Sequence, residues 1–200
     1  DAALAFMRAG LNTEAASVLK TCTCPNQLVA CYEAYVTGGT FEASEMKLCF
    51  PNRLEDIAVL AYFPHAWQAQ YLLGCLYYDR MNYAAARTAW EESARLNPDD
   101  AFTWRNLAQA LYDHFGEKEE ARACLEKALR LAPENARIVY ELLQLYKNIN
   151  MPVKDRLAFL EAHAALARQR DDCFLDMIVL YMQEGRFEKA RELLLSKRFN

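Results

Sequence analysis

Residues 67–98 read WQAQYLLGCLYYDRMNYAAARTAWEESARLNP, and their spacing recurs along the chain. Leu73, Leu107, Leu142 and Met177 are separated by 34, 35 and 35 positions, and Tyr77, Leu111, Tyr146 and Tyr181 repeat the same intervals. A second register agrees: Trp90, Leu125, Leu160 and Leu194 follow at 35, 35 and 34. Pro64, Pro98 and Pro133 recur at 34 and 35, where a proline ends one helix and the residues after it start another. A period of this length marks a helix-turn-helix unit that cannot bury its apolar face alone and must stack on its neighbours. The spacing therefore predicts an all-α array whose function lies on the surface of the stack.

In the quoted unit, Gln70, Leu73, Gly74, Tyr77, Tyr83, Ala86, Trp90, Ser93 and Pro98 fall where the tetratricopeptide pattern has its signature residues. This unit closely resembles that family, with Gln70 and Ser93 as departures. The next supplies Trp104, Leu107, Ala108, Leu111, Ala121, Leu125, Ala128 and Pro133, with one extra residue absorbed in the turn around Gly116. Small residues at Gly74, Ala86, Ala108 and Ala121 let paired helices approach closely while Trp90 or Leu125 fills the space beside them. The resemblance implies a right-handed superhelical solenoid of antiparallel helix pairs.

The third unit keeps Leu142, Tyr146 and Leu160 but has Leu143 and Arg156 at positions for small residues, and Pro152 interrupts its turn. The last recovers the pattern with Met177, Tyr181, Gly185, Phe187, Ala190 and Leu194. Upstream, Gly10, Ala15 and Leu19 read as the second half of a unit entered through a helical run from Ala2 to Ala9. Residues 26–63 carry helical periodicity through Leu28, Cys31, Tyr32 and Tyr35, break at Gly38-Gly39, and resume through Leu54, Ile57, Ala58 and Ala61, about three helices in all. The expected organisation is degenerate helical repeats over 1–63 and about four tetratricopeptide pairs over 64–200, the third degenerate, in one continuous solenoid. The start on Asp1 and the close after Leu193-Leu194-Leu195 suggest a fragment of a longer protein.

A net charge of −4 with alternating signs argues against nucleic acid, which needs a basic stripe. Arg122, Glu126 and Arg130 read as ordinary surface pairs on one helix face, and residues 117–120 as a solvated helix start. No apolar run is long enough to span a membrane, so no membrane partner is expected. The seven cysteines include a Cys22/Cys24 pair that invites a metal or redox reading, but structural zinc sites want a matching second pair or histidines. Their odd number and irregular spacing point to a reducing compartment, hence the cytoplasm. No metal or other cofactor is expected.

Enzyme signatures for acyl transfer, phosphate binding and zinc hydrolysis are missing. Asp113 and His114 could form an acid/base pair, yet neither a pocket nor an orienting partner is legible beside them. His65 and His163 read as structural. A non-catalytic chain is expected.

The tetratricopeptide resemblance further implies that the first helix of each unit lines an inner groove. Carried over by position, this face holds Gln68, Tyr71, Leu72, Cys75 and Tyr78; then Phe102, Arg105, Asn106, Gln109 and Tyr112; then Arg137, Tyr140, Glu141, Gln144 and Lys147. The expected partner-binding residues are Tyr71, Tyr78, Phe102, Arg105, Asn106, Gln109, Tyr112, Tyr140 and Gln144. Tyrosine supplies contact area with few rotors, amides can bond a peptide backbone, and arginine is a forked donor, which suits a protein or peptide partner. A neighbouring domain of the same polypeptide fits equally. Chaperone-binding relatives grip a terminal carboxylate with two lysines, two asparagines and an arginine; here only Arg105 and Asn106 could serve, so that mode is disfavoured.

Residues 49–60 (CFPNRLEDIAVL), 71–79 (YLLGCLYYD), 104–108 (WRNLA) and 193–199 (LLLSKRF) also resemble the repeat region of large bacterial proteins. Those proteins join tetratricopeptide units to an upstream domain related to sugar-binding β-sandwiches. The resemblance implies a carbohydrate-related context. The expected function is thus a protein-protein or interdomain scaffold, with an accessory domain of a carbohydrate-active or carbohydrate-binding protein as the alternative.

Overall fold

A computed structural model describes residues 2–23, 26–41 and 49–196. Among them are thirteen α-helices, one π-helical turn and no strand. The chain divides into two compact units, Asp1–Thr103 and Trp104–Asn200.

The first unit contains α1 (Ala2–Arg8), α2 (Asn12–Lys20), α3 (Gln27–Thr37), α4 (Leu54–Ala61), α5 (Trp67–Asp79), α6 (Tyr83–Leu96) and the start of α7 (Ala101–Ala110). Sequential neighbours pack as hairpins, α1 on α2 and α5 on α6. The expected early hairpin is present, turning at Gly10. Two of the helices expected over residues 26–63 are α3 and α4; residues 42–48 between them lie outside the described residues.

The α5/α6 joint shows why the period carries a glycine. A Cβ at Gly74 would lie 2.5 Å from the Trp90 indole, so only a bare backbone lets that ring lie flat across α5. The indole N–H donates to the Tyr71 carbonyl at 3.1 Å, which satisfies its polar edge inside the joint. Both departures from the family pattern bond backbone carbonyls. Gln70 Nε2 donates to the Phe63 carbonyl (3.4 Å), and the buried Ser93 hydroxyl donates to the Trp67 carbonyl (2.9 Å). Asp100 then accepts from the Thr103 amide (2.7 Å) at the start of α7, stabilising its N-terminal turn.

Upstream, Asp56 is buried and holds α3 to α4. One carboxylate oxygen accepts the Tyr32 hydroxyl (2.5 Å) and the other accepts the Asn52 and Arg53 amides (2.9 Å each). Burial, reinforced by the bond to Asp56, pushes the Tyr32 phenol well above its ordinary range.

The second unit holds the rest of α7, the π-helical turn Leu111–Phe115, α8 (Lys118–Leu131), α9 (Ala136–Asn148), α10 (Val153–Ala162), α11 (Ala164–Ala167), α12 (Asp171–Gln183) and α13 (Phe187–Ser196). Hairpin turns throughout the chain share one geometry that residue types conceal. A left-handed residue closes each: Gly10 (φ 72°), Met81 (59°), Gly116 (69°), Asn150 (57°) and Gly185 (73°). The carbonyls of Tyr77, Tyr146 and Tyr181 each accept the amide five residues on, from Asn82, Met151 and Arg186; the Leu111 carbonyl accepts one six residues on, from Glu117. The extra residue of that unit therefore sits in the π-helical turn before Gly116. Pro152, expected to interrupt the turn, sits at the N-cap of α10, where a missing N–H costs nothing.

A second repeated bond joins successive hairpins. Tyr146 donates to Glu126 (3.1 Å) and Tyr181 to Glu161 (2.8 Å), both partners shifted by 35 positions. Glu126, read from sequence as one of a string of surface charges, is thus also an inter-hairpin acceptor. At the far end Leu193 is buried, whereas Leu194, the fourth member of the Trp90 register, is 50% exposed. No later helix in the described residues covers it.

Trp90→Ala should cost about 3–5 kcal/mol in denaturant unfolding. Gly74→Ala, despite a helix-propensity gain of about 1 kcal/mol, should destabilise the parent by overpacking and stabilise the Trp90→Ala protein, a change of sign that a double-mutant cycle reads directly. At the turns, Met81→Gly should raise stability by about 0.5–1 kcal/mol and Gly116→Ala should lower it by about 1–2 kcal/mol, because an L side chain is strained at positive φ. Burial and Glu126 also push the Tyr146 phenol up, so its neutral form is favoured in the fold. Its stabilisation is complete below the ordinary phenol range near pH ~10 and is lost as pH rises beyond it; a urea midpoint that falls less steeply there in Tyr146→Phe would be the expected reading.

Candidate partner-binding groove

In the second unit, α7 and its π-helical turn, α8 and α9 enclose a cavity of about 230 Å³. Five of the expected partner-binding residues line it, Arg105, Gln109 and Tyr112 from α7 and its extension and Tyr140 and Gln144 from α9, together with Arg137 and Glu141 of the same expected face. Ala108, Leu125 and Leu145 supply its apolar wall. The placement follows from helical period: Arg105, Gln109 and Tyr112 are spaced four and three apart, as are Tyr140, Gln144 and Lys147, so each set occupies one helix face. Asn106 stands beside this set, with its carbonyl oxygen 3.5 Å from an Arg105 nitrogen.

Electrostatics decide how much of the face is available. Arg105 grips Glu141 with both arms, Nε to Oε2 at 2.6 Å and Nη2 to Oε1 at 2.5 Å, and Arg137 adds a third bond at 2.9 Å. A bidentate pair of this kind, largely withdrawn from solvent, fixes α7 against α9 and gives Arg105 a structural duty. Gln144 Nε2 repeats the device one hairpin on, donating to Asp176 of α12 at 2.9 Å. The Arg170 guanidinium lies 4.7 Å from the centre of the Tyr140 ring and pairs with Asp172, holding that carboxyl below its usual range. Gln109, exposed, and Tyr112, half-buried, supply an amide and a phenol to the cavity rim.

In the first unit the expected groove residues play mixed parts. Tyr78 packs its ring 5.3 Å from Tyr83 and 5.5 Å from Trp90, and Tyr71 packs against the core, leaving both half-buried. Phe102 is exposed. Gln68 and Leu72, which the carried-over pattern aims into the groove, are buried instead. The reason is that α5 packs on α3 and α4 as well as α6, so its Ala69, Leu72, Leu73 and Leu76 are all enclosed.

Of the Cys22/Cys24 pair, Cys24 lies outside the described residues and Cys22 is exposed. Among the described residues no group of three or more His, Cys, Asp or Glu side chains is placed to hold a metal. Burial pushes the Cys31 thiol up to about 12 and the Cys173 thiol up to about 11, which keeps both in the unreactive form. Asp113 and His114 are consecutive on the π-helical turn, and Asp113 lines the cavity.

The carried-over pattern stopped one unit short. Adding 35 to the third set gives Asp172, Leu175, Asp176, Val179 and Met182 on α12, and the bond from Gln144 to Asp176 joins this helix to the face. The period alone was the signal that could have found them.

Residues 57–101 and 71–136 match the tetratricopeptide repeat family model. Among solved structures, a crystal structure of MamA matches with a TM-score of 0.59 at 19% identity, covering 69% of this chain and 80% of that one. YrrB, described as a TPR protein with an unusual peptide-binding site, matches with a TM-score of 0.57 at 19% identity, covering 92% and 88%. A MamA fragment from Desulfovibrio magneticus RS-1 matches with a TM-score of 0.53 at 14% identity over 97% and 88%. At these identities the likeness is one of fold. Residues 57–136 thus match tetratricopeptide repeats, and the chain has an all-α fold of the tetratricopeptide kind.

Proposed function

We propose that this chain is a non-catalytic interaction scaffold whose second unit binds a protein or peptide segment in the cavity between α7, α8 and α9. The observation that carries the reading is the lining itself. An apolar wall of Ala108, Leu125 and Leu145 is rimmed by Gln109, Tyr112, Tyr140 and Asn148. Phenol and amide groups can bond a peptide backbone while the wall receives a side chain. The similar structure of YrrB, a peptide-binding protein by its description, supports the same reading.

The Arg105–Glu141–Arg137 cluster frames the cavity and keeps α7 and α9 at a set spacing. A partner then meets a preorganised face, which lowers the ordering cost of binding. Because Glu141 and Asp113 balance the guanidiniums of Arg105 and Arg137 in the lining, the cavity is not a strong anion site.

Selection of a random peptide display library against the full chain tests the proposal. Captured peptides should bind Tyr112→Ala and Gln109→Ala at least about fivefold more weakly, equivalent to about 1 kcal/mol, with helix content unchanged. Arg105→Ala is the poorer probe, since it strands Glu141. No captured sequence, or capture indifferent to both substitutions, would remove the assignment.

A further inference from the structure

We infer that the exposed side of α4 is a self-association surface, on which a second copy of this chain packs antiparallel across Ala58. The inference uses none of the groove residues and stands independently of that reading.

α4 ends just before Pro64 as α6 ends just before Pro98, 34 positions on, and the buried Val59-Leu60 pair recurs as the buried Ser93-Ala94 pair. The two helices therefore share a register. The outward positions of α6 are Ala84, Thr88, Glu92 and Arg95, with Arg95 Nε donating to Glu92 at 2.7 Å; another 35 positions on, α8 carries Glu119, Ala123, Lys127 and Arg130. That is an ordinary solvated side. At the same register α4 and the residues before it hold Phe50, Leu54, Ala58 and Ala61, all exposed and none polar. Tyr62 extends the stripe at 56% exposed, with Leu54 at 71% and Phe50 at 78%. The charges of α4 lie elsewhere: Asp56 is buried, while Arg53 and Glu55 stand roughly 100° to either side of Leu54, Glu55 being paired with Arg8.

The stripe is symmetric about Ala58. Leu54 lies four residues before it and Tyr62 four after, so an identical helix crossing antiparallel at Ala58 sets the Leu54 of each copy against the Tyr62 of the other. This is the self-complementary contact that a two-fold axis requires. Small side chains at Ala58 and Ala61 let the backbones approach, and Tyr35, packed edge-on with its ring centre 5.2 Å from that of Tyr62, widens the apolar margin. Phe50, Leu54, Tyr62 and Tyr35 together expose on the order of 500 Å². Covering that area on both copies buries about 1,000 Å², the lower limit for specific association and the range of a weak, reversible dimer. A partner chosen by charge finds nothing to select on this stripe, whereas a second copy matches it in both shape and apolarity.

Sedimentation equilibrium of the full chain, at concentrations from about 1 to about 500 µM, is the test. The weight-average mass should rise from 23.0 kDa toward twice that value, with a dissociation constant of roughly 10–100 µM. Ala58→Arg and Ala58→Glu, both at an exposed position, should each weaken association at least about tenfold with unchanged circular dichroism, because the axis sets like charges against each other. Mixed in equal amounts, the two variants should associate again, since opposite charges then meet. Leu54→Ser should weaken the parent dimer about tenfold without introducing a charge. A mass of 23.0 kDa at every concentration overturns the inference. So does a dimer that survives Ala58→Arg, or one that Leu194→Glu dissolves and Ala58→Arg does not. Failure of the mixed charge variants to associate overturns the antiparallel crossing at Ala58.

Discussion

The close approach of α5 and α6 at Gly74 is the contact from which the rest of the first unit can be understood. The Trp90 ring lies where a Cβ would be, and its N–H bonds the Tyr71 carbonyl. That arrangement buries a large aromatic side chain without stranding its polar atom, which a tight interior requires. Tyr78 then packs on the same ring, so two tyrosines expected to face a partner are tied to the hairpin interior, one through its ring and one through its backbone. Once α5 is held this way, its remaining faces meet α3 and α4, and Leu72 joins the core.

The second unit relies more on polar bridges. Tyr146 to Glu126 and Tyr181 to Glu161 join one hairpin to the next. On the inner face Arg105 to Glu141 and Gln144 to Asp176 join successive first helices, with carboxylates that are themselves 35 residues apart. Each of these bonds is charge-assisted and partly shielded from water, so each exceeds an exposed surface pair in strength and in geometric specificity. Together they set helix spacing, and helix spacing sets the cavity lined by Gln109, Tyr112 and Tyr140. The face is thereby graded, polar and aromatic on α7 and α9 and mixed acidic and apolar on α12.

Legibility differed by residue for physical reasons. Leu73, Leu107, Leu142 and Met177 are buried as their period predicts, because an apolar side chain recurring on one helix face has only the neighbouring helix to pack against. The polar pairs were less transparent. Nothing in the string of letters tells that Arg105 meets Glu141, 36 positions away, or that Glu126 accepts a tyrosine from the next hairpin. The extra residue of the second matched unit was legible as a count, but its location in a π-helical turn depends on which carbonyl the turn amide finds.

From sequence alone came the repeat, the helical class and the helix pairing, which follow from periodicity and residue size, while the list of inner positions came from the tetratricopeptide resemblance. The turns needed more, because Met81 and Asn150 adopt the left-handed conformation that Gly116 and Gly185 adopt freely, and residue type does not reveal which position must reverse. Tertiary structure alone decided which inner positions stay available. Leu72 and Gln68 are enclosed because α5 is surrounded, Arg105 is held because a carboxylate one hairpin away reaches it, and Val179 stays half-exposed at the edge of a small cavity shared with Leu143, Lys147 and Arg156. Periodicity assigns a residue to a face; only packing in three dimensions determines whether that face meets protein or solvent.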